Sequence, residues 1–179
     1  MQEIDFVAAE TVEELVRIVS ETGGRVIAGG TDVLVQMQRG VFPAQTVVDA
    51  SRIAALRFIR EDGGRVEIGA LTTYADLLSS PLLQGAAPSL LQAAETVGAP
   101  QTRYRGTLGG NIGNASPAGD MLPPLLALDA EITLASKAGE RALPLPEVLL
   151  GPGKTCLQPG EVITRIAFDA CRNPSGCSF

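Results

Sequence analysis

The hydrophobic patterning changes character near residue 55, and that change constrains the fold more than any other feature. Before it, a helix alternates with single short strands. Thr11 and Glu14 have the spacing of a capping box, Val12, Leu15, Val16 and Val19 recur at helical spacing, and Gly23-Gly24 ends the run. Strands are expected over residues 25–28 and 46–49. After residue 55 strands come in pairs. Residues 56–61 and 66–70 flank Asp62-Gly63-Gly64, a hairpin signal, and residues 131–135 and 141–145 flank Lys137-Ala138-Gly139. Residues 162–168 read as a final strand. Between the hairpins, Thr73 and Asp76 can cap a short helix through Leu78, Pro81 punctuates, and a helix covers residues 88–97. Residues 98–120 read as a long loop, and a further helix runs from near Asp120 through Leu128 with Pro123 and Pro124 in its first turn. The pattern predicts an α+β chain of two lobes with a cleft between them.

Composition narrows the chemistry. The 179 residues contain no histidine, so Ser-His-Asp triads, Cys-His dyads, His-ligated zinc and His general bases are excluded. Hydrophobic residues make up 45% and charged residues 19%, enough apolar character to bury a core. The 20 glycines and 12 prolines are spread without a period, which excludes collagen-like and low-complexity readings. A net charge of -6 and the absence of Trp argue against nucleic acid as a partner. Cys156, Cys171 and Cys177 form no C-x2-C pair, so a zinc or iron–sulfur site on this chain is not expected. Their odd number and the acidic, non-secretory opening predict a reducing, cytoplasmic setting, and no apolar run approaches the roughly 18 residues of a membrane span.

Two glycine-rich segments stand out. The first, Ile27-Ala28-Gly29-Gly30-Thr31-Asp32-Val33-Leu34, follows a strand and precedes a short helix. Its paired glycines suit a turn whose amides hold an anion, and equally a plain tight turn with Asp32 as a cap. The second, within residues 103–120, combines Gly106, Gly109, Gly110 and Gly113 with Thr107, Asn111, Asn114, Arg103 and Arg105. That composition suits a phosphorylated, polar ligand. Tyr104, between the two arginines, could stack on such a ligand or be structural. Neither segment has G-x-G-x-x-G spacing, and Gly153-Lys154-Thr155 lacks the first glycine of a phosphate-binding loop.

Together the segments resemble the FAD-binding subunit of the molybdenum hydroxylases, a family that includes the carbon monoxide dehydrogenase medium subunit and the flavin domain of xanthine dehydrogenase. The residues that carry the resemblance are Ala28-Gly29-Gly30-Thr31-Asp32 and Thr107-Leu108-Gly109-Gly110-Asn111, followed by Ala115-Ser116-Pro117-Ala118-Gly119-Asp120 and the Leu125-Leu126-Ala127-Leu128 helix. The resemblance implies a two-lobed FAD-binding fold of the vanillyl-alcohol-oxidase-like type. A small N-terminal α/β lobe would span residues 1–55, and a larger lobe with a mainly antiparallel sheet residues 56–170. Family members continue into a further C-terminal domain, of which residues 171–179 would be the start. The resemblance implies that Ile27, Ala28, Gly29, Gly30, Thr31, Asp32, Val33 and Leu34 bind the cofactor, with the backbone amides of Gly29, Gly30 and Thr31 lining the diphosphate. Thr107, Leu108, Gly109, Gly110 and Asn111 would close over the same phosphates and the ribityl chain. Asp120 would accept from cofactor hydroxyls, and Ile163 would cover the flavin ring. No side chain is expected to be catalytic. FAD would be bound non-covalently, with the molybdenum cofactor on a large partner subunit and iron–sulfur clusters on a small one. Electrons would pass from those clusters to FAD and on to NAD, oxygen or another acceptor. Two further readings remain: a free-standing flavoenzyme of the related FAD fold, such as a cell-wall sugar-nucleotide reductase, and a non-enzymatic assembly module that no longer holds flavin.

Overall fold

A computed structural model describes residues 4–40, 42 and 45–170. The first part is a three-stranded parallel sheet with a helix against it. Strand β1 (Asp5–Ala8) leads to helix α1 (Val12–Thr22), strand β2 (Arg25–Ile27), helix α2 (Val33–Gln38) and strand β3 (Thr46–Asp49), and the sheet order is β1-β3-β2. Thr11 caps α1, its hydroxyl accepting from the Glu14 N–H at 3.1 Å. The Glu14 carboxylate reaches one residue beyond the cap to accept from the Glu10 N–H. Gly23 ends the helix at φ +63°, a conformation that favours glycine. Leu15, Val16, Ile18 and Val19 are buried on the face of α1 that meets the sheet, whose central strand buries Val47 and Val48 completely.

The second part is a five-stranded antiparallel sheet covered by short helices. After a 3-10 turn at Ala54–Leu56, β4 (Ile59–Asp62) and β5 (Arg65–Gly69) form the first hairpin, with Gly63 and Gly64 both at positive φ as its two-residue turn requires. Helices α3 (Tyr74–Leu78), α4 (Pro81–Ala86), α5 (Pro88–Thr96), α6 (Pro100–Arg105), α7 (Leu108–Asn114) and α8 (Leu122–Ala127) follow. Then come β6 (Glu131–Ser136), β7 (Gly139–Pro144), the turn α9 (Leu145–Val148), the small pair β8 (Leu149–Gly151) and β9 (Lys154–Thr155), and β10 (Val162–Asp169). The sheet order β4-β5-β10-β6-β7 places the last strand in the centre, with Ile166 opposite both Ile68 and Ile132. These isoleucines and Phe168 meet Leu77, Leu83, Leu90 and Leu125 from the helices in one core. The solvated face carries an ion-pair ladder across three strands, Arg60–Glu67–Arg165. A second core joins the two parts: α1 and β3 pack with Leu71, Ala135 and Val162.

The fold is a mixed α/β chain with a mainly antiparallel sheet, as expected. Several local expectations need correction. Residues 98–120 are not one long loop but contain α6 and α7. Pro81 does not merely interrupt: like Pro88 and Pro100 it occupies the first turn of a helix, where its missing N–H costs nothing. Leu56 belongs to the 3-10 turn rather than to β4, and β1, α9, β8 and β9 were not anticipated. Residues 171–179, expected to begin a further domain, lie outside the described residues.

Candidate functional site

A cavity of about 700 Å³ lies where the two parts meet, within the roughly 300–1,000 Å³ range of ligand pockets. Gly30 and Gly110 line it together, as do Ala28, Gly29, Thr31, Asp32 and Val33 from the first segment and Thr107, Gly109 and Asn111 from the second. Ile163 lines it from β10, just before a bulge between Ile163 and Arg165. A bulge re-aims the side chains beside it. The other expected residues do not line the cavity. Ile27 is buried, Leu34 is half exposed on α2, Leu108 is completely buried in the main core, and Asp120 is half-buried after α7 without lining the cavity.

The first segment leaves its amides free. Among the described residues, the N–H groups of Gly29, Gly30 and Thr31 donate to no acceptor. Gly30 sits at φ +76°, the left-handed conformation that turns successive amides toward one side. Gly29 is glycine for a different reason: a Cβ there would overlap the Arg105 carbonyl. The loop therefore rests against the backbone of the second part.

The second segment differs from the expectation. The backbone donors from Leu108 to Asn111 are engaged inside the protein. The Leu108 N–H donates to the Thr72 carbonyl, Gly109 to Ala70, Gly110 to the Thr107 hydroxyl and Asn111 to the Thr107 carbonyl. Thr107 is the N-cap of α7, so the residues expected to close over the phosphates form the first turn of a helix. What α7 presents to the cavity is a surface with few side chains. A Cβ at Gly113 would meet only Ile163 Cδ1, at 3.7 Å, and one at Gly110 only the Thr107 hydroxyl, at 2.8 Å. Asn111 adds a carboxamide whose Oδ1 is buried and has no hydrogen-bond partner.

Arg103 is structural: its guanidinium donates to the carbonyls of Glu95, Val97 and Gly98 at the end of α5. Tyr104 is 72% exposed and does not line the cavity.

Sequence reasoning missed Tyr74, Arg25 and the loop from Leu157 to Glu161, all of which line the cavity. That loop is held by Glu161, which accepts from the Gln158 N–H and pairs with Arg141 at 2.7 Å. The Arg141 guanidinium holds the Glu161 carboxyl below its ordinary range. Tyr74 opens α3 behind a capping box formed by Thr73 and Asp76. Burial pushes its hydroxyl up to about 12, with Asp32 and Asp120 adding to the shift and the Asn111 carboxamide opposing it. The capping box was legible; that it aims a tyrosine at the site was not.

The arrangement can hold an anion on free amides beside a surface suited to a flat apolar group. Among the described residues there is no cluster of three or more potential metal ligands, and no helix is long and apolar enough to cross a membrane.

Residues 2–168 match the family described as FAD binding domain in molybdopterin dehydrogenase. The chain is 34% identical over 177 residues to the 6-hydroxypseudooxynicotine dehydrogenase complex subunit alpha of Paenarthrobacter nicotinovorans, covering 98% of this chain and 60% of that one. It is also 34% identical to the carbon monoxide dehydrogenase medium chain of Hydrogenophaga pseudoflava, over 98% of this chain and 62% of the relative. The solved carbon monoxide dehydrogenase from that organism, in a form lacking the Mo-pyranopterin moiety, superposes with a TM-score of 0.91 at 35% identity, covering 94% of this chain and 59% of that one. The chain thus spans about three fifths of the length of these relatives.

Proposed function

The chain belongs to the family of FAD binding domains of molybdopterin dehydrogenases, and from that premise we propose that it seats FAD non-covalently in the cavity between its two parts. The observation that carries this reading is the set of free amides at Gly29, Gly30 and Thr31, facing a cavity that α7 and Ile163 complete from the other side. The amides take the diphosphate without a buried lysine. The glycine surface of α7 and Ile163 cover the ring, while Thr107 and Asn111 offer hydroxyl and carboxamide groups to the polyol. Asp120, whose carboxylate acts on Tyr74 at the cavity wall, accepts from a cofactor hydroxyl. Residues 1–55 and 56–170 act as the two lobes of a vanillyl-alcohol-oxidase-like clamp, a division supported by the change from a parallel to an antiparallel sheet.

When bound, the flavin supplies the redox chemistry. The protein binds it, orients it and excludes water, and no side chain has to transfer a proton. In the assembled enzyme, electrons released at a molybdenum cofactor on a large partner subunit reach this site through iron–sulfur clusters on a small one. They leave to NAD, oxygen or another acceptor, in a cytoplasmic complex.

Titrating the purified chain with FAD, followed by flavin fluorescence, should saturate at one FAD per chain. Gly110→Val, which adds bulk at the cavity wall, should weaken binding more than tenfold while far-UV circular dichroism stays unchanged. A folded wild-type chain that does not take up FAD refutes the reading; if it still joins a molybdenum-containing partner, the assembly-module reading takes its place.

A further inference from the structure

Tyr74 is a group at the cavity wall for which the reading above has no use. Its side chain is 5% exposed and belongs to the main core, yet it lines the cavity. The ring is held from several sides. Its backbone N–H donates to the Gly106 carbonyl at 3.2 Å, and the missing Cβ of Gly106 makes room for the ring edge, since a carbon there would stand 2.6 Å from Cε2. The capping box of Thr73 and Asp76 fixes the start of the helix that carries it.

The Tyr74 hydroxyl lies within electrostatic reach of Asn111, Asp32 and Asp120. A protonated phenol has one proton to donate. A phosphoryl oxygen arriving beside Asp32 meets negative charge. The donors that serve it there are neutral ones, such as amides and a hydroxyl that stays protonated. Tyr74 meets that requirement throughout the physiological range, because its hydroxyl titrates only near 12.

We infer that Tyr74 is a cofactor-binding residue, donating a hydrogen bond from its hydroxyl to a phosphoryl oxygen of the bound dinucleotide, alongside the Gly29–Thr31 amides. This inference rests on the proposed FAD site. It adds a donor from α3, an element that neither glycine-rich segment includes.

The test compares wild type and Tyr74→Phe for binding of FAD and of ADP, which carries the same diphosphate without the flavin. A hydrogen bond to a charged group predicts about tenfold weaker binding of both ligands in the variant. Thermal unfolding of the apo variant verifies that the core is intact. Unchanged affinity for both ligands overturns the inference. So does a loss confined to FAD, since the hydroxyl would then address some part other than the diphosphate. A wild-type chain that binds ADP but not FAD would refute the flavin reading and leave the ADP arm to decide on Tyr74. If it binds neither, both fall.

Discussion

The two glycine-rich segments look alike in sequence and serve opposite purposes in the backbone. The first keeps the N–H groups of Gly29, Gly30 and Thr31 free, whereas the second ties those of Leu108, Gly109, Gly110 and Asn111 into the capped start of α7. In the first, glycine provides a conformation, since Gly30 lies at positive φ. In the second, glycine removes bulk so that α7 can press against neighbouring backbone: a Cβ on Gly109 would lie 2.7 Å from the Ala70 carbonyl oxygen. One loop exposes donors. The other offers an open surface, with its donors from Leu108 to Asn111 satisfied internally.

Glycine-to-alanine changes probe this contrast most strongly. Gly29→Ala should destabilise by about 4 kcal/mol, because the new carbon overlaps the Arg105 carbonyl and backbone must move. Gly109→Ala should cost about 2–3 kcal/mol against Ala70. Gly110→Ala should stay within about 1 kcal/mol of wild type, since its neighbour is the Thr107 hydroxyl and alanine favours the helix. Urea midpoints rank the three, and any other order contradicts the division drawn here.

The segments meet at Tyr74, which senses Asp32 from one and Asn111 and Asp120 from the other. Its hydroxyl is raised from 10.0 to about 12, so the folded state holds this proton more tightly than the unfolded state does. The associated stability is intact below pH 10 and is lost as pH rises through 12. The loss amounts to roughly 2–3 kcal/mol, and it should be missing from Tyr74→Phe. Denaturant curves at pH 9 to 12 for both proteins isolate it, because Tyr104 is common to the two.

The smallest expected effect separates the two helix starts. Thr107→Ala removes a hydroxyl that accepts from Gly110 and should cost about 1 kcal/mol. Asp32 makes no side-chain cap hydrogen bond at the start of α2, so Asp32→Ala should change stability by less than about 0.5 kcal/mol. Equal losses in thermal unfolding would show that Asp32 caps its helix after all.

Much of the fold was legible because its signals are local. Thr11 and Gly23 bracket α1, the Gly63-Gly64 turn sets the first hairpin, and Thr73 with Asp76 starts α3. Strand β1 escaped notice because all four of its residues are exposed and show no alternation, and the parallel pairing that defines it comes from Thr46–Asp49, far along the chain. Helices α6 and α7 were hidden by Pro100 and by the glycines of α7, which read as loop signals although Pro100 sits in a first turn and Thr107 is an N-cap. The two arginines around Tyr104 suggested phosphate, but Arg103 faces carbonyls at the end of α5, a partner that no spacing rule reveals.

By itself the sequence determined the helix starts, the hairpin turns, the absence of histidine chemistry and the two glycine-rich segments. The starts, turns and segments each depend on residues a few positions apart, and the missing histidine on composition alone. Only the tertiary structure decided that β10 is the central strand, that Tyr74 joins the cavity, and that one glycine segment keeps its amides while the other engages them. Whether an N–H is free depends on which carbonyl packs beside it. For Leu108 and Gly109 those carbonyls belong to Thr72 and Ala70, which are brought there by the sheet and not by the chain.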